Sequence, residues 1–191
     1  IHKKDTDSAS LMIGLLSDMF RYNLRDHRHL VKFSDELTYT RRYLDIQHFR
    51  FGDKYEVEYD LDENIFSCGI LRLTLQPIIE NSLIHGLEPL KDKGRLTIGA
   101  KMLNDRLLVY ISDNGVGIAK DRLQEIHRLL EATPDIQPGE VLSKVGLTNV
   151  HARIKQYFGA PYGLGIFSTP GVGTTVKIMM PIHQPDWSEA T

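Results

Sequence analysis

Asp113-Asn114-Gly115-Val116-Gly117-Ile118 closes a strand-like run, Leu107 to Ser112, and precedes a helical pattern that begins near Ala119. An acid followed by glycines at the end of a buried strand describes the floor of a ligand site. The Asp113 carboxylate can accept a hydrogen bond from an exocyclic amino group, and Gly115 and Gly117 remove side chains that would hold a ligand away from backbone. Taken by itself the segment has a second reading, a strand-to-helix turn rich in turn formers. The segments around it decide between the two.

Upstream, Arg95 to Lys101 and Arg106 to Ser112 are strand patterns joined around Asn104-Asp105 as a hairpin. The second is apolar on both faces, which places it in the middle of a sheet. Before them, Leu75, Ile78, Ile79 and Leu83 repeat at helical spacing from about Leu71. His85-Gly86 is the expected helix stop, and Pro77 either kinks the helix or sits in its first turns. Earlier still, Tyr55, Val57, Tyr59 and Leu61 alternate with acids as a half-buried strand with one wet face, after the turn cluster Phe51-Gly52-Asp53-Lys54.

Downstream, Leu123, Ile126 and Leu130 mark a short helix, and Thr133 to Glu140, with two prolines, a glycine and no period, is a loop suited to a lid. Gly146 opens another helix, with Leu147, Val150, Ile154 and Phe158 on its buried stripe. Leu164 to Ser168 and Thr174 to Met180 form a last hairpin through Thr169 to Gly173, and the tail from Gln184 frays. Strands that come as hairpins between helices imply an α+β fold, a mixed sheet with helices on one face.

Ahead of this domain, residues 9 to 25 carry Leu11, Leu15, Met19 and Phe20 on one helical stripe. A second helical pattern repeats Leu30, Leu37 and Leu44 at intervals of seven, with Phe33 on the same face, and runs to about Phe49. The two helices could pack on the following domain or on a second copy of the chain, with packing in the same chain the default. The 191 residues, 41% hydrophobic and 25% charged, suffice for one full domain and an appendage, and a net charge of -2 disfavours nucleic acid and membrane-surface partners. The longest apolar runs fall far short of the ~20 residues of a transmembrane helix, and no signal-peptide pattern opens the chain. The lone Cys68 has no partner for a disulfide and no ligand-spaced neighbours, which fits a reducing compartment.

Four pieces stand in order: Glu80-Asn81 with His85, Asp113 to Gly117, Gly146-Leu147-Thr148-Asn149, and Gly171-Val172-Gly173-Thr174. This set resembles the N, G1, G2 and terminal glycine boxes of the ATP-binding domain shared by histidine kinases, gyrase subunits, MutL and heat-shock chaperone ATPases, over about residues 53 to 181. The resemblance implies the two-layer α/β sandwich of the Bergerat or GHKL fold, preceded by helices of a dimerisation region. Leu16-Ser17-Asp18-Met19-Phe20-Arg21-Tyr22, Glu36-Leu37, Tyr43-Leu44-Asp45-Ile46-Gln47, Arg50-Phe51 and Leu75-Gln76-Pro77-Ile78-Ile79-Glu80-Asn81 are similar to the LytS-type sensor histidine kinases. That likeness divides the chain into residues 1–52, the C-terminal part of the helical dimerisation and phosphoacceptor region, residues 53–183, the ATP-binding catalytic domain, and a tail, 184–191. The acceptor segment of that group, His-Phe-Leu-Phe/Tyr-Asn, does not occur here. His2, followed by Lys3-Lys4 and close to Arg21-Tyr22, does not fit it, so the acceptor histidine is expected upstream.

By resemblance, Asp113 accepts the adenine amino hydrogen bond, with Gly115 and Gly117 beside it, and the Asn81 carboxamide oxygen is a hard ligand for Mg²⁺ between ATP phosphates. Glu80 orients Asn81 or a metal-bound water, or is a solvated acid. His85 lies at i+4 from Asn81, near the phosphates or as a helix-end cap. Gly146 and Leu147 present helix-start N–H groups to the polyphosphate. Asn149 and Arg153 complete the Gly-Leu-x-Asn-Val-x-x-Arg pattern, with a surface ion pair as the other reading of Arg153. Thr174 lies beside the base and Asp113, or is a strand threonine paired across the sheet.

Two positions depart from the family: Lys144 stands where glycine is usual and can stiffen the lid or meet a phosphate, and Ile84 stands where lysine is usual. The glutamate that activates water in the gyrase-like relatives would lie four residues before Asn81, at Pro77, so the pattern favours histidine kinase over the ATPase alternative. A third reading is a non-catalytic domain that binds nucleotide weakly and serves dimerisation. The implied parent is a homodimeric sensor held in a membrane by segments outside this sequence, with this part in the cytoplasm. Its partners are ATP and a response regulator whose aspartate receives the phosphate.

Overall fold

The computed structural model describes residues 29–132 and 146–184, together with Ile13, Gly14, Ser17 and Arg21. The amphipathic helix expected over 9–25, the lid at 133–140, Lys144 and the tail beyond 184 fall mainly or wholly outside these residues. In chain order the elements are β1 (Leu30–Lys32), α1 (Phe33–Phe51), β2 (Tyr55–Leu61), β3 (Gly69–Leu71), α2 (Leu75–Asn81), a π-helical turn (Ser82–Leu87), β4 (Gly94–Leu103), β5 (Arg106–Asp113), α3 (Lys120–Glu131), α4 (Gly146–Phe158), β6 (Gly163–Thr169) and β7 (Gly173–Pro181).

Five strands form one sheet in the order β2-β4-β5-β7-β6, with β2 parallel to β4 and the other pairs antiparallel. Leu96, Ile98, Leu107, Val109, Ile111, Val176 and Ile178 point from its inner face into a core completed by helical residues such as Ile78, Ile79, Leu83, Val150 and Ile154. Leu108 and Tyr110 of the central strand β5 are only half-buried. Tyr110 reaches Asp60, and Lys101 pairs with the same carboxylate at 2.8 Å, so the outer face is polar. The central position of β5 and the placing of the helices on one face are as expected, although the strand itself reads as apolar on both sides. The alternation typical of an antiparallel, one-sided sheet is hidden because the outer positions also carry leucine and tyrosine. The result is the two-layer sandwich with helices on one face.

Two boundaries differ from expectation. Leu30, read as the first of three heptad leucines, lies in β1, which pairs with β3 at Leu30↔Leu71, Val31↔Ile70 and Lys32↔Gly69. The helical period starts at Leu75 and not Leu71, because residues 69–71 are that partner strand and Leu73 adopts a left-handed φ of 54°. Pro77 lies in the first turn of α2, where its missing N–H costs no helical bond. Phe33, Leu37, Tyr43 and Leu44 bury α1 in the same core as the sheet, the in-chain packing expected. At ~1.5–3 kcal/mol for each fully buried large apolar side chain, this face holds α1 firmly against the domain.

The end of α2 also corrects an expectation. Gly86 does not stop an α-helix but lies within the π turn, whose wider winding is marked by Glu88 N–H donating to the Leu83 carbonyl at 2.8 Å. Single π turns inside helices recur at functional sites, where the extra residue re-aims side chains. Here the turn directs Asn81, Ser82, His85 and Gly86 toward one cavity.

Candidate functional site

The carboxyl end of β5 meets the start of β7, with Asp113 paired opposite Thr174. Only 6% of Asp113 is exposed. Its Oδ1 accepts N–H bonds from Gly115 at 3.0 Å and Thr174 at 3.3 Å, and the Ser82 hydroxyl also bonds the carboxylate. Burial pushes the carboxyl above its ordinary 3.8, against the lowering effect of those three donors. An ionised carboxylate offers about four lone-pair sites, so three internal donors leave roughly one acceptor position for a donor entering from the cavity.

That cavity, about 660 Å³, opens between the sheet end, α2 with its π turn, the start of α3 and the start of α4. Of the residues singled out in the sequence, Asn81, His85, Asp113, Gly117, Gly146, Leu147 and Thr174 line it together. Ile78, Ile118, Ile126 and Val176 supply apolar wall, which suits a flat base as well as the polar groups suit its edge.

At the opposite end from the sheet, the Asn81 Nδ2 donates to the Pro77 carbonyl at 2.5 Å. This orients the carboxamide, whose oxygen accepts no hydrogen bond from the described residues. Gly146, the first residue of the thirteen-residue helix α4, lies beside it: a Cβ there would stand 3.7 Å from the Asn81 Nδ2. The N-terminus of a helix of this length carries partial positive charge and unpaired N–H groups toward the cavity. Arg122 of α3 also lines the cavity while bonding Glu125 at 2.6 Å.

Three expected site residues stand elsewhere. Glu80 accepts a bond from Gln76 at 2.7 Å and lies close enough to Tyr43 of α1 to act on its phenol, and it is not among the lining residues. Asn149 is exposed on α4 away from the cavity, because Leu147, Thr148 and Val150 occupy the buried arc around it. Gly115 is required by protein contact and not by a ligand: a Cβ on it would collide with the Gly86 backbone, to which Val116 N–H bonds at 3.0 Å. Of the two, Gly117, with φ of 69°, lines the cavity, although a Cβ there would also collide with the Thr169 backbone. Arg153 faces inward to backbone carbonyls, and among the described residues it makes no surface ion pair.

Ser82, Gly86 and Arg122 were missed in the sequence. Gly86 is glycine because a Cβ would fall 2.8 Å from Asp113 Oδ1. Ser82 was adjacent to a recognised residue, and its role follows only from the π turn. Arg122, in the first turn of the helix after Gly117, was the one with a usable signal.

The chain matches two family descriptions: "Histidine kinase" over residues 1–55, and "Histidine kinase-, DNA gyrase B-, and HSP90-like ATPase" over residues 69–184. It is 37% identical over 155 residues to the sensor histidine kinase YpdA of Escherichia coli (80% of this chain, 26% of that protein). It is 32% identical over 172 residues to the sensor histidine kinase YesM of Bacillus subtilis (90% and 27%). It therefore spans about a quarter of the length of these relatives. Among solved structures, the histidine kinase ThkA, in complex with the response regulator protein TrrA, superposes with a TM-score of 0.54 at 10% identity, covering 94% of this chain and 49% of that one. With the two families matched in this order, the chain belongs to the histidine kinases of the histidine kinase-, DNA gyrase B- and HSP90-like ATPase family and holds their ATP-binding catalytic region.

Proposed function

We propose that the cavity binds Mg-ATP and delivers its γ-phosphoryl group to a histidine outside this sequence, in a LytS-type sensor kinase. One observation supports this most: a buried carboxylate with about one unused acceptor position stands at one end of the cavity that has the Asn81 carboxamide and the head of α4 at the other. The adenine amino group would donate to Asp113 with Thr174 alongside, while the Gly146 and Leu147 N–H groups, the His85 ring and the Arg122 guanidinium would face the phosphates. Lys144 is a further candidate for the β- or γ-phosphate.

The donor set fits Mg²⁺. Asn81 presents one hard oxygen, and among the described residues no group of three His, Cys, Asp or Glu side chains stands ready to cage a metal. This matches an ion that takes one or two protein ligands and completes its shell with phosphates and water. When bound, Mg²⁺ neutralises the oxygens between which charge shifts. The chain holds the nucleotide in line and excludes water. The γ-phosphorus to bridging-oxygen bond breaks as a phosphorus–nitrogen bond forms to the imidazole, and ADP leaves with the electron pair. A neutral imidazole is already a nucleophile and needs no strong base.

The lining supports transfer over hydrolysis. Among the described residues, Asp113 is the carboxylate that lines the cavity and sits at the base end, Pro77 occupies the place of the water-activating glutamate, and Glu80 faces α1. We further propose that residues 1–52 end a helical dimerisation and phosphoacceptor region, that 53–183 form the catalytic domain, and that 184–191 are a tail. The parent is then a homodimeric membrane sensor with this portion in the cytoplasm, passing phosphate to a response regulator. Among the described residues no helix is long and apolar enough to cross a membrane. Calorimetric titration of the chain with Mg-ATP tests the reading. Saturable binding by high micromolar ATP is expected, while absence of heat over that range would favour a non-catalytic module, and steady phosphate release without any histidine acceptor would favour an ATPase.

A further inference from the structure

Residues 72–75 carry the chain from β3 into α2 through a turn gripped from two sides. Leu73, at φ of 54°, takes a conformation uncommon outside glycine, and the bend presents three successive N–H groups to one point. The Glu36 carboxylate of α1, with 0% exposure, fills that point. Its Oε2 accepts from Leu73 at 3.0 Å, and its Oε1 accepts from Thr74 at 2.8 Å and Leu75 at 3.1 Å. Consecutive N–H groups of this kind form an anion cradle, and here the cradle coincides with the positive end of α2. From the other side, Arg153 of α4 donates to the Arg72 carbonyl at 2.5 Å and the Leu73 carbonyl at 3.3 Å, close enough to Glu36 to feel its charge.

A second contact lies one heptad further along α1. There Tyr43 stands close enough to Glu80, the neighbour of Asn81, for the carboxylate to help hold its phenol protonated, behind the larger effect of burial. Thus α1 touches α2 at both ends, at its first turn through Glu36 and beside its last residue through Tyr43. Apolar packing between the two helices is non-directional. Three charge-assisted bonds to backbone, by contrast, set where along its axis α2 can stand.

We propose that Glu36 is a positioning residue for Asn81. By anchoring the head of α2, Glu36 sets how far the Asn81 carboxamide reaches into the phosphate end of the cavity, and with Arg153 it fixes the spacing between α2 and the start of α4. This rests on the Mg-ATP reading given above. It also makes α1, the helix that leads in from the upstream segment, the element whose displacement would alter the metal-binding end more than the Asp113 end, which the sheet also holds.

The test compares ATP affinity of the 191-residue chain with excess Mg²⁺ and with EDTA. Partners that orient a metal ligand are typically worth about 10–100-fold in metal affinity. Glu36→Gln is therefore expected to reduce the Mg²⁺-dependent gain by about tenfold or more, with metal-free affinity within about twofold of wild type. A proportional loss in both buffers would mean a purely structural role and would overturn the proposal, as would an unchanged Mg²⁺ gain. Wild type that binds no ATP in either buffer overturns the nucleotide reading itself. Should Glu36→Gln not fold, Glu36→Asp keeps the charge and withdraws it by one methylene. Nitrogen-edited NMR of the Asn81 side-chain amide should then show shifted resonances and a reduced Mg²⁺ gain, and an unmoved amide with an intact gain overturns the proposal.

Discussion

The two ends of the cavity are built by different means. At the base end, strand register does the work: Asp113 faces Thr174 across β5 and β7, and the carboxylate is tied by donors from residues 82, 115 and 174. At the phosphate end, Asn81 and Gly146 come from two helices, and the place of each depends on a turn near residue 73 that lies outside the cavity lining. The sheet and the π turn hold one end locally, whereas the other rests on helices held by a remote clamp. On the Mg-ATP reading proposed above, phosphate alignment would respond to α1 more than recognition of the base.

Adenosine, which engages only the base end, and Mg-ATP, which engages both, separate the two. The largest effect is expected from Asp113→Asn, which presents a donor and an acceptor where a charged acceptor stood. A lost hydrogen bond to a charged group is worth ~1.5–3 kcal/mol, so adenosine and ATP should both weaken by roughly 10–100-fold and discrimination against guanine nucleotides should disappear. Equal ATP affinity in wild type and variant, by competition titration, would break the assignment. Next in size, Asn81→Ala should lower Mg-ATP affinity by about tenfold, the scale of one metal-orienting contact, with adenosine binding unchanged. A parallel loss for adenosine would mean the ends are not separable.

Acidification gives a smaller and graded test. The Asp113 carboxyl is raised above 3.8 by burial, and only its ionised form keeps the full acceptor set. Adenosine affinity should be complete above the raised value and fall as pH drops through it, with onset above pH 3.8. The same shift has the opposite sign for the unliganded fold: a raised carboxyl contributes stability at low pH that is lost as pH rises through the folded-state value. Affinity that stays flat down to pH 3.8 would show that the ionised carboxylate is not what the base meets.

The smallest effect concerns neither end. His151 accepts the Leu164 N–H at Nδ1, 2.9 Å away, and burial, with Lys155 nearby, holds it below its ordinary 6.5. A lowered histidine contributes stability that is complete above 6.5 and is lost as pH falls through the folded value. Melting curves at pH 7.5 and 5.5 should therefore differ less in His151→Gln than in wild type, while adenosine binding at pH 7.5 stays the same. An identical pH response in both proteins would remove His151 from the account.

Much of the base end was legible in the sequence because its parts are short-range. Asp113 and the two glycines after it are contiguous, the strands on either side keep a period of two, and Asn104-Asp105 marks the hairpin where the chain turns. What could not be read was whatever depended on distant partners. Nothing local says that Glu36 will meet the N–H groups of residues 73–75, that Leu30 will pair with Leu71, or that Glu80 will turn to Tyr43 and not to the cavity. Gly86 misled for a related reason. A glycine after a helical run reads as a stop, yet its reason here is the Asp113 carboxylate lying against its Cα, across a fold that spacing alone does not encode.

The most direct test of one cavity with two separately built ends is a backbone-amide NMR comparison of adenosine and Mg-ATP. Adenosine should shift Gly115, Gly117 and Thr174, and Mg-ATP should add Asn81, Gly146 and Leu147. Shifts confined to the outer face of the sheet, around Lys101 and Lys177, or the same residues moving with both ligands, would contradict it.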